Sequence, residues 1–438
     1  MAEVWTNWAG EQRCAPEALE RPRSSEEVVA AVERARDSGR RVRVAGSGHS
    51  FTDIACSEGT LLHLGAMDRV LDSDTVTGLV RVQAGITLHE LGSELAERGL
   101  AMENQGDIDR QSLAGALATA THGTGLGFRN VSSQVAAMRI VTADGAVLDI
   151  EDEDTLRAAR VGLGALGVVT EVTLRCVPIF TLRRVDEPRP LEEVLSSIDA
   201  LAEGNDHFEF YVFPYTGAAL VRETQRSKAL EPDPPGAAKL WFEEVALPNI
   251  MVGVAGRAGR IRPGLIPPLN RALMRAIGRT VRVDRSARVY ASRRDVKFTE
   301  MEYALPREHG EEAIRRVLDT IERRRLPVGF PLEFRLVAGD DSYLSTAHGH
   351  DTAYIAVHQF KGMEFEGYFR AVERIMDDYG GRPHWGKRHY QSAATLAPRY
   401  PEWDAFAAVR ERLDPDGLFS NDYVDRVLGP VGAAVSSS

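Results

Sequence analysis

Hydrophobic positions along the first 178 residues follow a helical period in some segments and a strand period in others. In the segment 24–36, a serine and two glutamates precede Val28, Val29 and Val32 on one face, which predicts a capped amphipathic helix. The same patterns predict helices at 88–98, 111–118 and 154–160, and strands at 41–45, 60–64, 79–83, 138–141, 146–150 and 168–176. Glycine-rich turns separate these elements, so we expect an α+β domain of two small strand-helix groups.

The pattern changes after Pro178, and Glu187-Pro-Arg-Pro190 adds a second boundary signal. Beyond this point the predicted elements are longer: strands at 208–213, 283–290, 298–304, 331–337 and 354–360, and a helix at 310–324. The proline-rich stretch 228–282 is predicted to be irregular, with one or two short helices. Turn residues return from Gly381 onward, which indicates a separate C-terminal segment.

The chain has 438 residues and a net charge of −11, from 53 Lys and Arg against 64 Asp and Glu. An acidic chain repels phosphate backbones, so we expect no nucleic-acid partner. Basic residues cluster at 257–262 and 271–282, which allows at most a peripheral contact with an anionic membrane or an acidic protein. No apolar run approaches the roughly 18 to 20 residues that span a bilayer, and no apolar leader opens the chain. The sequence therefore predicts a cytoplasmic protein.

The cysteines and histidines show no metal-binding spacing. Cys14, Cys56 and Cys176 lie far apart, which argues against a disulfide framework, a zinc site or an iron–sulfur cluster. His384 and His389 lie close in sequence without an acidic neighbour, which is poor spacing for a metal. We therefore expect no metal.

Two segments combine small residues with polar groups. The strand at 41–45 ends in Gly46-Ser-Gly-His-Ser50, whose glycines let backbone N–H groups approach a pyrophosphate, although a plain tight turn has the same composition. A P-loop is excluded, because no Gly-Lys-Ser/Thr follows. In the segment 115–125, threonines and a histidine among small residues require hydrogen-bond partners such as phosphate or ribose.

The sequence Gly162-Leu-Gly-Ala-Leu-Gly167 has the spelling of the dinucleotide-binding fingerprint. That fingerprint follows a strand and opens a helix. Here the predicted helix 154–160 comes first and the predicted strand 168–176 follows, so the order is reversed. We reject NAD binding by this route.

Charged residues also occur inside apolar strand patterns. Glu333 and Arg335 point to one face of a strand that is otherwise apolar. A surface ion pair is the common explanation for such spacing, but a buried charged pair needs a reason. His358 lies on a similar apolar strand, where a core histidine with satisfied hydrogen bonds is the default.

Seven short motifs occur along the chain, namely Gly46-Ser-Gly-His-Ser50, Ile54-Ala-Cys56, Glu103-Asn-Gln-Gly106, Ala118 to Gly125, Gly164 to Val169, Glu333-x-Arg335 and His384-Trp-Gly-Lys387. In this order they resemble the vanillyl-alcohol-oxidase-type FAD enzymes over nearly the whole chain. Within that superfamily the match is to the aldonolactone oxidases and dehydrogenases, nearest the actinobacterial L-gulono-1,4-lactone dehydrogenases. Each motif alone is a weak signal, and the resemblance rests on the occurrence of all seven in the same order along the chain.

The resemblance implies an α+β fold with three parts. Residues 1–178 would form a two-subdomain FAD-binding domain of the PCMH type. Residues 179–375 would form a substrate domain with a large antiparallel sheet flanked by helices. Residues 376–438 would return to the flavin.

The resemblance also implies which residues bind FAD. His49 would carry a covalent bond to the 8-methyl carbon of the flavin. The residues expected to surround the pyrophosphate are Gly46, Ser47, Gly48, Ser50, Gly115, Thr119, Thr121 and Gly123. Val168 and Val169 would meet the adenosine end. Gly106 would lie beside the C4a edge, where the absence of a Cβ leaves a path for oxygen, unless this glycine only makes the turn before the next helix.

The implied reaction is the oxidation of a lactone or polyol by hydride transfer to flavin N5, with a proton removed from oxygen. Arg335 would supply donors to a substrate oxygen, and Glu333 would bind hydroxyls or accept the proton. Lys387 would act as the base if burial lowers its pKa, or would hold the N1/C2=O region of the flavin. His358 and His384 are further candidates for substrate binding.

Two alternatives remain open at this stage. The substrate can be an open-chain alditol in place of a lactone, because only the pocket wall differs. The chain can also be a flavoprotein electron-transfer subunit, although Glu333, Arg335 and Lys387 argue for catalysis. Oxygen, a cytochrome or a quinone can serve as the electron acceptor.

Overall fold

The computed structural model describes residues 3–227, 231–236, 252–292 and 294–432. Up to Pro178, these residues form a three-stranded sheet, a five-stranded sheet and two short strand pairs. The strands are β1 (Trp5–Thr6), β2 (Arg13–Cys14), β3 (Ala18–Glu20), β4 (Val42–Ala45), β5 (Thr60–His63), β6 (Val70–Asp74), β7 (Leu79–Gln83), β8 (Leu100–Ala101), β9 (Val135–Val141), β10 (Val147–Ile150), β11 (Val168–Arg175) and β12 (Val177–Pro178). The helices are α1 (Ser25–Asp37), α2 (Leu88–Glu97), α3 (Leu113–Ala118) and α4 (Glu153–Ala159).

The small parallel sheet, in the order β3-β5-β4, positions the first glycine turn. The Ser24 hydroxyl caps α1 by accepting the Glu27 N–H at 3.3 Å. Val28 and Val32 then bury one face of α1 in the core beside the sheet. Because β4 is anchored in this core, the turn 46–50 that follows it has a fixed position at the end of the sheet.

The antiparallel sheet, in the order β10-β9-β11-β7-β6, forms the second half of this domain. A capping box begins α2, with the Thr87 hydroxyl accepting the Glu90 N–H at 3.2 Å and the Glu90 carboxylate accepting the Thr87 N–H at 3.1 Å. Leu91 and Leu95 on α2, together with Val80 and Val82 of β7, enter one large core. This core holds α3 and its neighbouring turns in place.

The second part of the chain is built on an eight-stranded sheet in the order β16-β13-β15-β14-β18-β19-β17-β20. Its strands are β13 (Thr181–Pro190), β14 (His207–Val212), β15 (Ala218–Ser227), β16 (Thr280–Arg285), β17 (Phe298–Pro306), β18 (Leu332–Val337), β19 (Thr352–Phe360) and β20 (Arg382–Pro383). Its helices are α5 (Leu191–Leu195), α6 (Ile198–Glu203), α7 (Val252–Ile261), α8 (Ile266–Ala276), α9 (Ser286–Tyr290), α10 (Gly310–Arg323) and α11 (Glu366–Asp377).

The two faces of this sheet differ in chemistry. Phe208, Phe210 and Phe334 face α10 and α11 in a hydrophobic core. Because side chains alternate along a strand, Glu209 and Arg335 point to the opposite face. Every position of β14, β18 and β19 is buried, so this second face is covered as well and its charges are enclosed.

The C-terminal segment packs back onto the first domain. It contains α12 (Ala393–Leu396), α13 (Trp403–Leu413) and α14 (Asp422–Leu428). Trp403, Phe406 and Tyr423 join the core that contains β7 and α2. The Tyr423 hydroxyl donates to the Trp385 carbonyl oxygen at 2.7 Å, which anchors the loop before Lys387.

Most of the predicted elements are confirmed within a residue or two, including β7 and α10. The helix–turn–strand order around 162–167 is confirmed by α4 and β11, so the turn is not a dinucleotide fingerprint. The predicted strand 283–290 is wrong in its second half, because the chain turns into α9 after Arg285. The proposed boundary signal at 187–190 lies inside β13. The pairing of β13 with β16 ends at Asp186, so residues 187–190 pair with β15 on one side and proline is tolerated there.

The stretch 228–282, predicted to be irregular, lies partly outside the described residues. Its described portion contains α7, α8 and the beginning of β16. Two prolines of this stretch, Pro267 and Pro268, occupy the first turn of α8, where a missing N–H is tolerated. Within the described ranges, no helix is both long enough and apolar enough to cross a membrane.

Candidate active site

Two cavities meet at His49. The inner cavity, of about 310 Å³, is bounded by the turn 46–50, α3 and the turn 162–167. The outer cavity, of about 1040 Å³, lies between α2, α9 and the end of the large sheet that carries Phe298 and Glu300. His49 and Gln111 line both cavities, so a ligand that spans the two passes these residues.

The inner cavity is shaped for close approach to backbone. Gly48 has a φ of +71°, and a Cβ on it would lie 3.2 Å from the Trp5 ring. A Cβ on Gly46 would collide with the Ser112 hydroxyl. Within the described residues, Ser112 Oγ and Gln111 Oε1 are buried without a hydrogen-bond partner. A glycine cradle with unsatisfied polar atoms fits a phosphate-bearing ligand such as a dinucleotide.

Most of the residues expected to bind the cofactor lie in the wall of the inner cavity, namely Gly46, Ser47, Gly48, His49, Ser50, Gly115, Thr119 and Val169. Val168, by contrast, directs its side chain to the opposite face of β11, into the core under α1, so its expected contact with the adenosine end stays a prediction. Gly106, Thr121 and Gly123 also lie outside the residues that line this cavity; a Cβ on Gly106 would meet the His122 carbonyl oxygen at 3.0 Å.

His49 lies in an aromatic setting near two lysines. Its ring stacks on Trp8 with centroids 5.5 Å apart and an interplanar angle of 26°. Burial, together with the positive charges of Lys387 and Lys297, lowers the pKa of His49 to about 4. The imidazole is therefore neutral at physiological pH and keeps a free lone pair.

Lys387 and Glu300 form the charged end of the outer cavity. Lys387 Nζ lies 2.5 Å from Glu300 Oε2, and His358 Nε2 lies 3.4 Å from Glu300 Oε1. Burial opposes the charge on Glu300, but Lys387 and His358 outweigh it and lower its pKa to about 2. Burial likewise opposes the charge on Lys387, but Glu300 and Glu302 outweigh it and raise its pKa. The condition for Lys387 to act as a base, a pKa lowered by burial, is therefore not met, because Glu300 is buried beside it as a counter-ion. Its alternative role at the N1/C2=O region of the flavin stays a prediction.

Glu333 and Arg335 lie on β18 as predicted and contact each other as an ion pair. Arg335 borders a space of about 30 Å³ beside the outer cavity, and Gln105 borders both spaces. Glu333 lies behind Arg335 and is not among the residues that line these cavities. Arg335 Nε lies 2.9 Å from Glu209 Oε2, and its Nη2 lies 3.5 Å from Asp107 Oδ1. Carboxylates thus surround the guanidinium.

Burial is the largest reason why the pKa of Glu333 is raised. Arg335 opposes this rise, whereas the negative charges of Asp107 and Glu209 reinforce it. Within the described residues, Glu333 Oε1 and Arg335 Nε lack a well-directed hydrogen bond although both are buried. Both atoms nevertheless lie against a charged partner, Arg335 Nη2 for Glu333 Oε1 and Glu209 for Arg335 Nε, so these contacts are ionic.

His358 and His384 were expected to contact substrate; neither is among the residues that line the two large cavities, and both roles stay predictions. His358 lies behind Glu300, with its Nδ1 2.9 Å from the Pro331 carbonyl oxygen. His384 is 4% exposed and belongs to a second buried cluster with His122 and Glu302. Both side chains are buried, because the strand that carries His358 and the loop that carries His384 pack beneath the charged residues that line a cavity.

The cluster of His122, Glu302 and His384 offers ligand atoms within 4.8 Å of one another, so His384 has the acidic neighbour that sequence spacing did not reveal. His122 Nε2 lies 3.1 Å from Glu302 Oε1. His384 Nδ1 accepts the Gly386 N–H at 3.0 Å, so the neutral ring carries its proton on Nε2 and has no lone pair there for a cation. The expected absence of a metal stays a prediction.

Four carboxylates of the site were missed by sequence reasoning: Asp107, Glu209, Glu300 and Glu302. Two of them, Glu209 and Glu302, carry the same signal as Glu333, a charged residue between apolar neighbours on a strand, as in Phe208-Glu-Phe210 and Met301-Glu-Tyr303. Applied to every strand, that signal would have found these two, whereas Glu300 follows Thr299 and lacks it. Asp107 lies in a loop and has no such signal.

Comparison with known proteins places these features in a family. Residues 16–151 match an FAD binding domain, and residues 172–427 match D-arabinono-1,4-lactone oxidase. The chain is 54% identical over 430 residues to L-gulono-1,4-lactone dehydrogenase of Mycobacterium tuberculosis, covering 98% of this chain and all of the relative. It is 33% identical to L-gulonolactone oxidase of Bos taurus (96% and 97% covered) and 32% identical to alditol oxidase of a Streptomyces species (98% and 100% covered).

The fold is similar to that of cholesterol oxidase from Brevibacterium sterolicum, with a TM-score of 0.84 at 18% identity, covering 98% of this chain and 97% of that one. The predicted α+β fold class and the predicted FAD-binding domain are confirmed. From the matched ranges and identities, this chain belongs to the D-arabinono-1,4-lactone oxidase family and carries an FAD-binding domain in its first part.

Proposed function

We propose that this protein oxidises an aldono-1,4-lactone at a CH–OH group with FAD as the hydride acceptor. The observation that carries the proposal is the position of His49, between a glycine-walled cavity and a cavity whose end holds Lys387 and Glu300. The names of the mycobacterial and bovine relatives supply the substrate class, a gulonolactone.

For cofactor binding, the turn 46–50 and the residues Gly115 and Thr119 would hold the pyrophosphate in the inner cavity, with Val169 towards the adenosine. His49 would carry the covalent link, because a neutral imidazole keeps the lone pair that bond formation needs. Trp8 limits rotation of the ring by stacking on it.

When bound, FAD accepts the hydride that leaves the carbinol carbon. Lys387, whose pKa is raised, would stay a cation in the outer cavity and would bind a substrate oxygen that becomes negative. Arg335 would hold a substrate oxygen with its planar set of donors. Glu333 would accept the hydroxyl proton, and its raised pKa suits this role better than the lowered pKa values of Glu300 and Asp107 do.

Anaerobic mixing of the purified protein with a panel of aldonolactones and alditols tests the substrate proposal. We expect gulono- and related 1,4-lactones to bleach the flavin absorbance fastest. Faster bleaching by alditols would assign the alternative, alditol oxidation, which the Streptomyces relative's name suggests. If dithionite bleaches the flavin but no lactone or alditol does, the electron-transfer alternative replaces both.

Acid precipitation tests the covalent link independently of turnover. We expect the wild-type pellet to stay yellow and to give a fluorescent band on a denaturing gel, and His49→Ala to lose both signals. Release of all flavin from the wild type on precipitation would remove the link from the proposal while leaving FAD binding intact.

The electron acceptor is a further proposal. Oxygen, a cytochrome or a quinone would take the electrons after substrate oxidation, and reoxidation rates with each acceptor rank them. The cytoplasmic location stays a prediction.

A further inference from the structure

A straight row of alternating charges crosses the large sheet and ends at Arg335. Arg335 of β18 is the direct cross-strand partner of Glu209 on β14, and Glu209 is the partner of Arg222 on β15. Arg222 is in turn the partner of Asp186 on β13. Four adjacent strands therefore contribute one residue each, in exact register, with the signs plus, minus, plus and minus.

The side chains of this row are in contact as well as in register. Arg335 Nε lies 2.9 Å from Glu209 Oε2, and Arg222 Nη1 donates to Glu209 Oε1 at 2.6 Å. Arg222 Nε donates to Asp186 Oδ1 at 2.9 Å. Arg184, on the same strand as Asp186, contacts the end of this row, with Nη2 3.1 Å from Asp186 Oδ2.

The row lies away from water. Glu209 is 5% exposed and Arg335 is 6% exposed, and the side chain of Arg222 is 16% exposed. A buried row of ion pairs is a weak source of stability, because desolvation offsets most of the attraction and apolar residues of similar volume do as well. The regular arrangement of this row therefore indicates a role other than stabilising the sheet.

We propose that Glu209, held in place by Arg222, is a positioning residue that orients the Arg335 guanidinium towards the substrate. The proposal rests on the proposed function, in which Arg335 binds a substrate oxygen. Glu209 occupies the Nε edge of the guanidinium, which leaves Nη2 to face Asp107 and Glu333. Because Arg222 and the Tyr211 hydroxyl both donate to Glu209 Oε1, the carboxylate itself has little freedom to rotate.

The same contact sets the electrostatic surroundings of Glu333. The charged and titratable groups that face it are Arg335 on its own strand, Glu209 and Tyr211 on β14, His358 on β19, Asp107 in the loop before α3, and Arg294 in the loop after α9. Glu209 is one of the negative groups in this set. Removing its charge therefore makes Glu333 easier to ionise. The acid limb of a pH–rate profile that depends on the ionisation of Glu333 then moves to lower pH.

The test is the pH dependence of anaerobic flavin reduction in the holoenzyme, measured for wild type, Glu209→Gln and Glu209→Asp. Glu209→Gln keeps the length of the side chain and loses the charge, so we expect reduction to slow by roughly 10-fold to 100-fold and the acid limb to move down by about one pH unit. Glu209→Asp keeps the charge and loses the reach, so we expect slower reduction with the limb unmoved.

Glu223→Gln is the matched control. Glu223 is the next residue to Arg222 on β15 and pairs with Arg189 at 2.7 Å, on the other face of the sheet. We expect its rate and limb to equal those of the wild type.

The outcomes separate the positioning role from the proposed function. If Arg335→Ala reduces its flavin normally, the proposed role of Arg335 fails. If Arg335→Ala is defective but Glu209→Gln keeps both the wild-type rate and the wild-type limb, the positioning role fails. Should Glu209→Gln yield no folded holoenzyme, Glu209→Asp still decides, because a wild-type rate in that variant overturns the proposal.

Discussion

The inner and outer cavities adjoin at His49 but are built by different means. The inner cavity is walled by glycines, hydroxyls and backbone from three short segments, 46–50, 112–119 and 162–167. The outer cavity and the space behind it depend on charged side chains from separate strands and loops, such as Asp107, Glu300, Arg335 and Lys387. A backbone cradle needs only a local sequence, whereas a charged site needs partners that the fold brings from far away.

The difference extends to electrostatics. Around the inner cavity, polar capacity is left open at Ser112 Oγ and Gln111 Oε1, within the described residues. Beside the outer cavity, by contrast, buried charges are paired: Glu300 with Lys387, and Arg335 with Glu333. We therefore expect substitutions in the inner cavity to change cofactor retention, and substitutions in the charged region to change rates and pH dependence.

The largest expected effect is on Arg335. Arg335→Ala deletes donors that matter most as charge develops, so we expect the flavin to be reduced roughly 10²-fold more slowly or worse, with the flavin content unchanged. Stopped-flow anaerobic reduction measures the rate. Arg189→Ala is the control, because Arg189 pairs with Glu187 and Glu223 on the other side of the same sheet. A normal rate in Arg335→Ala would take this residue out of the mechanism.

Gly48→Ala tests the other side of the comparison. Its φ of +71° and the nearby Trp5 ring make a side chain unfavourable there, so we expect FAD retention to fall by roughly 10-fold while the flavin that is retained is reduced at the wild-type rate. Gly39→Ala is a matched control, since its φ is +66° and its Cβ would meet nothing within 4 Å. Equal flavin loss in both variants would mean that backbone strain, and not the cradle, is responsible.

Acid should destabilise the fold through buried neutral histidines. Burial lowers the pKa of His207 to about 4 and that of His384 to about 3, from 6.5. The unfolded chain therefore binds protons below pH 6.5 that the folded chain does not, and stability falls as pH falls. Between pH 7 and 5 we expect each histidine to remove about 2 kcal/mol of unfolding free energy.

Urea unfolding at the two pH values measures this loss. His207→Gln should make the pH dependence shallower, because it removes a buried group that takes up a proton only on unfolding. The lowered pKa of Glu300, about 2, acts with the same sign but only below its usual 4.5, and the raised pKa of Lys387 acts only above 10.5, so neither disturbs this window. A slope that is unchanged in His207→Gln would rule out this histidine as a source.

The smallest expected effect is at Gly106. A methyl group there would press on the His122 carbonyl oxygen at 3.0 Å and the Thr121 methyl at 3.3 Å, and Gly106 lies outside the residues that line the two large cavities. We therefore expect Gly106→Ala to change reoxidation by oxygen by about two-fold or less. Stopped-flow reoxidation of dithionite-reduced protein measures it, and a much larger slowing would support the oxygen path implied by the family resemblance.

Local sequence was sufficient for the features that depend on neighbours along the chain. The cap and apolar face of α1 predict that helix, and the strand that ends in Gly46 predicts the first wall of the inner cavity. The order of α4, the turn 162–167 and β11 excludes the dinucleotide fingerprint for the same reason, since three adjacent elements settle it. Each of these features has its physical cause within a few residues.

Only the tertiary structure decided how the charges are paired. The spacing of Glu333 and Arg335 placed both on one face of a strand, but the opposing Glu209 comes from β14, over a hundred residues earlier. The protonated state of Lys387 depends on Glu300, which lies 87 residues away in sequence. Pairing energies of buried charges depend on distances of a few ångströms in a low-dielectric interior, and those distances are set by the register of the sheet, not by any local pattern.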